Sequence, residues 1–134
     1  MVPLLFLAAA SADLDALDQA VTHCDRQASN PVFAGEAARR AQFLLDAYRE
    51  QEAIVNDRLT LADQRRTLRQ ATNMKPLELK QTEKQLDLQQ ADLDDRQKAL
   101  NDKRLLEGIR QDAMDSMRRY FLNNCPAGGS EKVK

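Results

Sequence analysis

An all-α fold is predicted for this chain: a long antiparallel coiled-coil helical hairpin on a small three-helix base. Three observations predict it. Four Gly, four Pro and 4% aromatics in 134 residues are too few for the turns and packing of a β-sandwich or barrel. Leu79, Leu86, Leu93 and Leu100 recur every seven residues, the period of a coiled-coil seam. Cys24 and Cys125 are equidistant from a point between Met74 and Lys75, inside a segment where a helix has reason to stop.

The N-terminus comes first. Residues 2–10, VPLLFLAAA, are apolar, and Ala10-Ser11-Ala12 leads into Asp13. A short apolar run closed by an A-x-A pattern reads as a secretory signal peptide over 1–12, cut between Ala12 and Asp13. Its n-region lacks Lys and Arg. The run is too short to span a bilayer, which takes about 20 apolar residues. A periplasmic or secreted protein without a membrane span is therefore expected.

Residues 13–125 are expected to form one helical coiled-coil domain. Leu14, Leu17 and Val21 mark the apolar face of a first helix over 13–28, with Asp13, Asp15 and Asp18 in its early turns, where the helix dipole favours acids. Residues 28–35, ASNPVFAG, read as a break because they contain Pro31 and Gly35. From Glu36 to Leu122 the only potential breakers are Pro76 and Gly108. Gly108 is read as a place of close helix packing, or else as a kink. Residues 126–134, with Pro126, Gly128 and Gly129, are expected to be a disordered tail.

Pro76 decides the shape. A proline inside a helix removes a hydrogen bond and clashes with the preceding turn, at a cost of ~3 kcal/mol. Lys75 before it is pushed away from the helical region, and Asn73 tolerates the left-handed conformation that ends helices. A turn near 73–76 sets Leu86 opposite Ala62, Leu93 opposite Val55 and Leu100 opposite Tyr48. Tyr48, Val55 and Ala62 form their own sevenfold row beside Ala47, Ile54, Leu61 and Leu68. The turn also brings Cys24 to Cys125, and an exported pair is expected to be a disulfide. The alternative is a single long kinked coiled-coil rod. The eleven-residue step from Leu68 to Leu79 is a permitted stutter, and the cysteines would then bridge only between chains.

The apolar load is concentrated at the open end of such a hairpin. Phe43, Leu44, Leu45 and Tyr48 meet Leu105, Leu106, Ile109, Met114, Met117, Tyr120 and Phe121 there, with Leu14, Leu17, Val21, Val32 and Phe33 to cover them. Along the arm, Asp92/Arg96, Asp94/Lys98 and Asp115/Arg119 place an acid one turn before a base, the order that supports a solvated helix surface.

Chemistry is sparse. His23 is the single histidine, so any His-based catalysis would have to use it; no Ser/His/Asp set is recognised, and there is no second His for a His-based metal site. The cysteines lack C-x-x-C spacing, and no Gly-rich phosphate loop occurs. No catalytic, cofactor or metal site is expected. Arg58, Arg65, Arg66, Arg69 and Lys75 are too dispersed, in a chain of net charge −1, to grip phosphates, so nucleic acid is not an expected partner. The expectation is a non-enzymatic exported scaffold, adaptor or assembly factor. It would act through helix–helix contacts with a protein partner or by self-association along Leu79, Leu86, Leu93, Leu100, Tyr48, Val55 and Ala62, as a homo-oligomer. The alternative function is a periplasmic holdase-type chaperone for unfolded clients.

Overall fold

The computed structural model describes the backbone of residues 3–126 and side chains from Asp13 onward. The expected signal peptide and almost all of the expected tail lie outside the residues whose side chains are described. Three α-helices make up the described chain: α1 (Pro3–Thr22), α2 (Arg26–Gln70) and α3 (Pro76–Asn124). No described helix is long and apolar enough to cross a membrane.

The first connection is not where Pro31 and Gly35 suggest. It is the three-residue link His23-Cys24-Asp25, and α2 runs straight through both expected breakers. Cys24 has φ 53°, a left-handed conformation rare outside glycine. Its N–H donates to Val21 O at 3.1 Å, and the Asp25 N–H donates to Ala20 O at 2.8 Å. This is a Schellman ending of α1, with a cysteine in the position glycine usually takes. Asp25 then starts α2 at once: its Oδ1 accepts from the Ala28 N–H at 3.1 Å, and its carbonyl accepts from the Ser29 N–H at 2.9 Å. Pro31 lies inside α2 on its exposed face. The carbonyl of Gln27, which loses its partner to the proline ring, can be satisfied by water.

The second connection is Ala71–Lys75, and it lies where Pro76 demands it. Pro76 is the first residue of α3, the one helical position that needs no N–H, and the Lys75 carbonyl accepts from the Leu79 N–H at 2.9 Å. Asn73 does not adopt the expected left-handed conformation. Among the described non-glycine residues only Cys24 does, and α2 closes with the Ala71 N–H on Leu68 O at 3.2 Å.

The chain divides into two compact units, Met1–Gln42 with Leu106–Lys134, and Phe43–Leu105. The first buries Leu17 and Val21 of α1 with Met114, Phe121 and Cys125, and packs Leu14, Phe33 and Met117 against them. The Phe33 and Phe121 ring centroids are 5.7 Å apart. The sulfurs of Cys24 and Cys125 are at disulfide distance, with Cα atoms 5.4 Å apart, within the usual range for such a bridge. Arg26 lies over the Phe121 ring at 5.2 Å and donates to the carbonyls of Cys125, at 2.6 Å, and Pro126, holding the end of α3. The second unit buries Ala47, Ile54 and Leu61 of α2 with Leu86, Leu93 and Leu100 of α3, flanked by Phe43 and Leu68.

A Cβ built on Gly108 would meet nothing within 4 Å. The expected close packing at this glycine is therefore absent, and α3 continues through it.

Candidate functional site

In the second unit, α2 and α3 run in opposite directions. Arg58 pairs with Asp94 at 3.1 Å and Arg65 with Asp87 at 3.1 Å, so numbers rise on α2 as they fall on α3. Gln51 and Gln97 exchange amide hydrogen bonds at 2.9 and 3.1 Å. Arg96 donates to Glu50 at 3.1 Å and Asp57 at 2.7 Å. Asp57 and then Glu50 raise its pKa further by accepting those bonds. The expected one-turn partnerships of Arg96 and Asp94 along α3 are thus replaced by pairs to α2. A long arginine reaches a neighbouring helix as easily as its own next turn, and the neighbour brings two carboxylates.

The inner row of α3 includes Leu86, Leu93 and Leu100, whereas Leu79 is only half-buried and outside the cluster. On α2 the inner row is not the expected one. Tyr48 is 65% exposed, Val55 47% exposed and Ala62 exposed, whereas Ile54 is fully buried. The facing register is therefore displaced by one residue. Continuing the Ala47 row by seven reaches Leu68, while continuing the Tyr48 row reaches Arg69. Burying the Ala47 row spares a guanidinium from desolvation and leaves the tyrosine hydroxyl in water.

Displacement of that row leaves α2 with a second apolar line facing out. Leu44, Tyr48, Val55 and Leu59 are 67, 65, 47 and 62% exposed. At 100° per residue they fall within about 60° of arc along roughly 22 Å of helix. Leu44 and Leu59 were not part of the expected seam. The available signal was spacing: each lies four residues from a member of the Tyr48 row, the next position along the same face.

The first unit holds a different constellation, also absent from the sequence reading. Glu107 is 7% and Glu36 8% exposed. Glu36 accepts from Arg39 at 3.0 Å, Arg40 at 2.9 Å and Arg110 at 2.9 Å. Arg39 also pairs with Glu107, Gln111 donates to Glu107 at 3.0 Å, and Arg40 reaches Asp115 at 2.8 Å. Asp115 thus serves Arg40 of α2 rather than the expected Arg119. Burial would raise the Glu36 pKa, but hydrogen bonds from Arg39, Arg40 and Arg110 together hold it down at about 2. Burial likewise opposes the ionised form of Glu107, and the bonds from Arg39 and Gln111 win. The detectable signal was the leucine row itself, which continues by sevens through Glu107 to Met114 and Phe121.

Glu36 and Glu107 are both held by arginine and kept ionised, which favours a structural ion cluster over a proton-transfer pair. A nearby groove of about 310 Å³ is lined chiefly by Leu14, Leu17, Val32 and Met114, with Asp13 and Arg110 on its wall. The Asp25 carboxylate caps a helix, and His23 Nδ1–H donates to Gln19 O at 2.7 Å. Among the described residues no three His, Cys, Asp or Glu side chains gather as a cation site. No family model, no curated protein and no solved structure matches the chain.

Proposed function

We propose that this is a non-enzymatic, exported scaffold or assembly factor that acts through helix–helix contacts made by a coiled-coil hairpin. The observation that carries the reading is the outward line Leu44, Tyr48, Val55 and Leu59 on α2. These side chains remain exposed although the helix already has an apolar row against α3. Four large apolar groups in one line make a surface that another helix can cover. The seven-residue spacing of the inner rows supports the coiled-coil description. Export is supported by residues 1–12, which fit a signal peptide ending at Ala12. The Cys24–Cys125 pair supports it too, since such bridges persist in oxidising compartments.

The interaction row moves outward from where the sequence puts it. Leu86 and Leu93 are buried, so a charge at either tests folding rather than recognition. The direct test places a photoreactive benzophenone side chain at Tyr48 of the full chain in an exporting host. One discrete covalent adduct is expected. A broad smear of adducts would point instead to a holdase for unfolded clients, and no adduct at all would remove the interaction reading.

A further inference from the structure

We propose that the partner covering this line is a second copy of the same chain, packed antiparallel, α2 against α2, about a two-fold axis between Gln51 and Glu52. The inference rests on the helix-contact reading above and names its partner.

The argument is one of self-complementarity. A two-fold interface must present the same patch on both sides, so residue i meets residue j while j meets i. The outward line has this property: Leu44 and Leu59 lie equally far from the Gln51–Glu52 midpoint, and so do Tyr48 and Val55. An antiparallel copy therefore sets Leu44 against the partner's Leu59 and Tyr48 against the partner's Val55. Large side chains meet large ones along the whole line, with no charged residue in it.

Charge at the border fits the same register. Arg49 and Glu52 are exposed and flank the line on one side, and neither makes an ion pair among the described residues. In the antiparallel arrangement Arg49 comes beside the partner's Glu52, and the symmetry repeats the contact. A parallel copy would carry the two Arg49/Glu52 borders on opposite edges of the pair, so the Arg49–Glu52 contact is available only in the antiparallel arrangement. The arrangement also leaves α3 of each chain on the face of α2 that it already occupies, so nothing in the second unit has to open.

Sedimentation equilibrium of the oxidised full chain tests this directly. The expected species has twice the mass of a single chain, which is 15.2 kDa before any cut at Ala12. Leu59→Asp should weaken self-association by about 100-fold, with helical circular dichroism unchanged because the position is 62% exposed. Arg49→Glu should weaken it by about 10-fold, and Arg49→Glu combined with Glu52→Arg should restore it. A chain that stays monomeric, or a dimer indifferent to Leu59→Asp, overturns the proposal. So does a dimer that Leu59→Asp breaks but the charge exchange does not rescue. A monomer that still gives one discrete adduct of different mass from Tyr48 sinks the self-partner while leaving the helix-contact function standing. A monomer without any adduct sinks both.

Discussion

Arg110 on α3 donates from one nitrogen to both carboxylate oxygens of Glu36 on α2, at 2.9 and 3.2 Å. Arg39 and Arg40 bind the same carboxylate from the following turn of α2. One nearly buried acid thus binds three guanidiniums in the first unit, and the unit's response to acid should follow from it. The Glu36 pKa is depressed to about 2 in the folded chain, from an ordinary value of 4.5. A carboxylate with a lowered folded pKa contributes stability that is complete above its unfolded pKa and is lost as pH falls through the folded one. The window is therefore pH 4.5 down to 2, with about 3 kcal/mol at stake. Glu36→Gln should flatten the stability profile across that window when urea midpoints are measured from pH 6 to pH 2. An unchanged acid slope in the variant would show that Glu36 is not the group responsible.

The disulfide should matter because its two residues are 101 apart. Closing so long a loop restricts the unfolded chain, and the entropic account assigns about 4–5 kcal/mol to it. Cys24→Ser with Cys125→Ser should lower the thermal midpoint by more than 10 °C for a chain of this size. It should also release the left-handed residue that Cys24 supplies to the end of α1. Intact mass without reductant gives the companion measurement: a monomer lighter by two hydrogens, cut before Asp13 in an exporting host. Midpoints that coincide with and without the bridge would show that it contributes nothing.

Gly108 is a cost without a packing return. It stands inside α3, and an added Cβ meets nothing within 4 Å. Gly108→Ala should therefore raise stability by roughly 0.5–1 kcal/mol, the difference in helix preference between the two residues. A loss of stability in urea titration would mean that another backbone does approach there.

Adjacent positions on α2 should behave oppositely. Ile54 has no exposure and Val55 is 47% exposed. Ile54→Ala should cost 2–4 kcal/mol by removing buried methyl groups and leaving a cavity. Val55→Ala should change the stability of the isolated chain by less than about 0.5 kcal/mol. Equal costs at the two positions would return the inner register to the Tyr48 row.

Much of this molecule is written locally. Scarce Gly and Pro, strong helix formers and sevenfold leucines determine an all-helical chain, because helix preference and periodicity act over a few turns. Pro76 determines the second connection for the same reason: its ring constrains its own backbone and its neighbour's wherever the chain goes. The tertiary structure decided the rest. It chose which of two adjacent sevenfold rows on α2 faces α3, since that choice depends on desolvating Leu68 or Arg69 four turns from the centre. It moved the first break from Pro31 to Cys24, because the packing of Phe33 and its neighbours outweighs one lost hydrogen bond at Pro31 and a cysteine can hold a left-handed turn. It exchanged one-turn charge pairs for pairs between helices and gathered Glu36 and Glu107 among arginines. Those carboxylates look like any others in the sequence, and only the neighbouring helix removes their water.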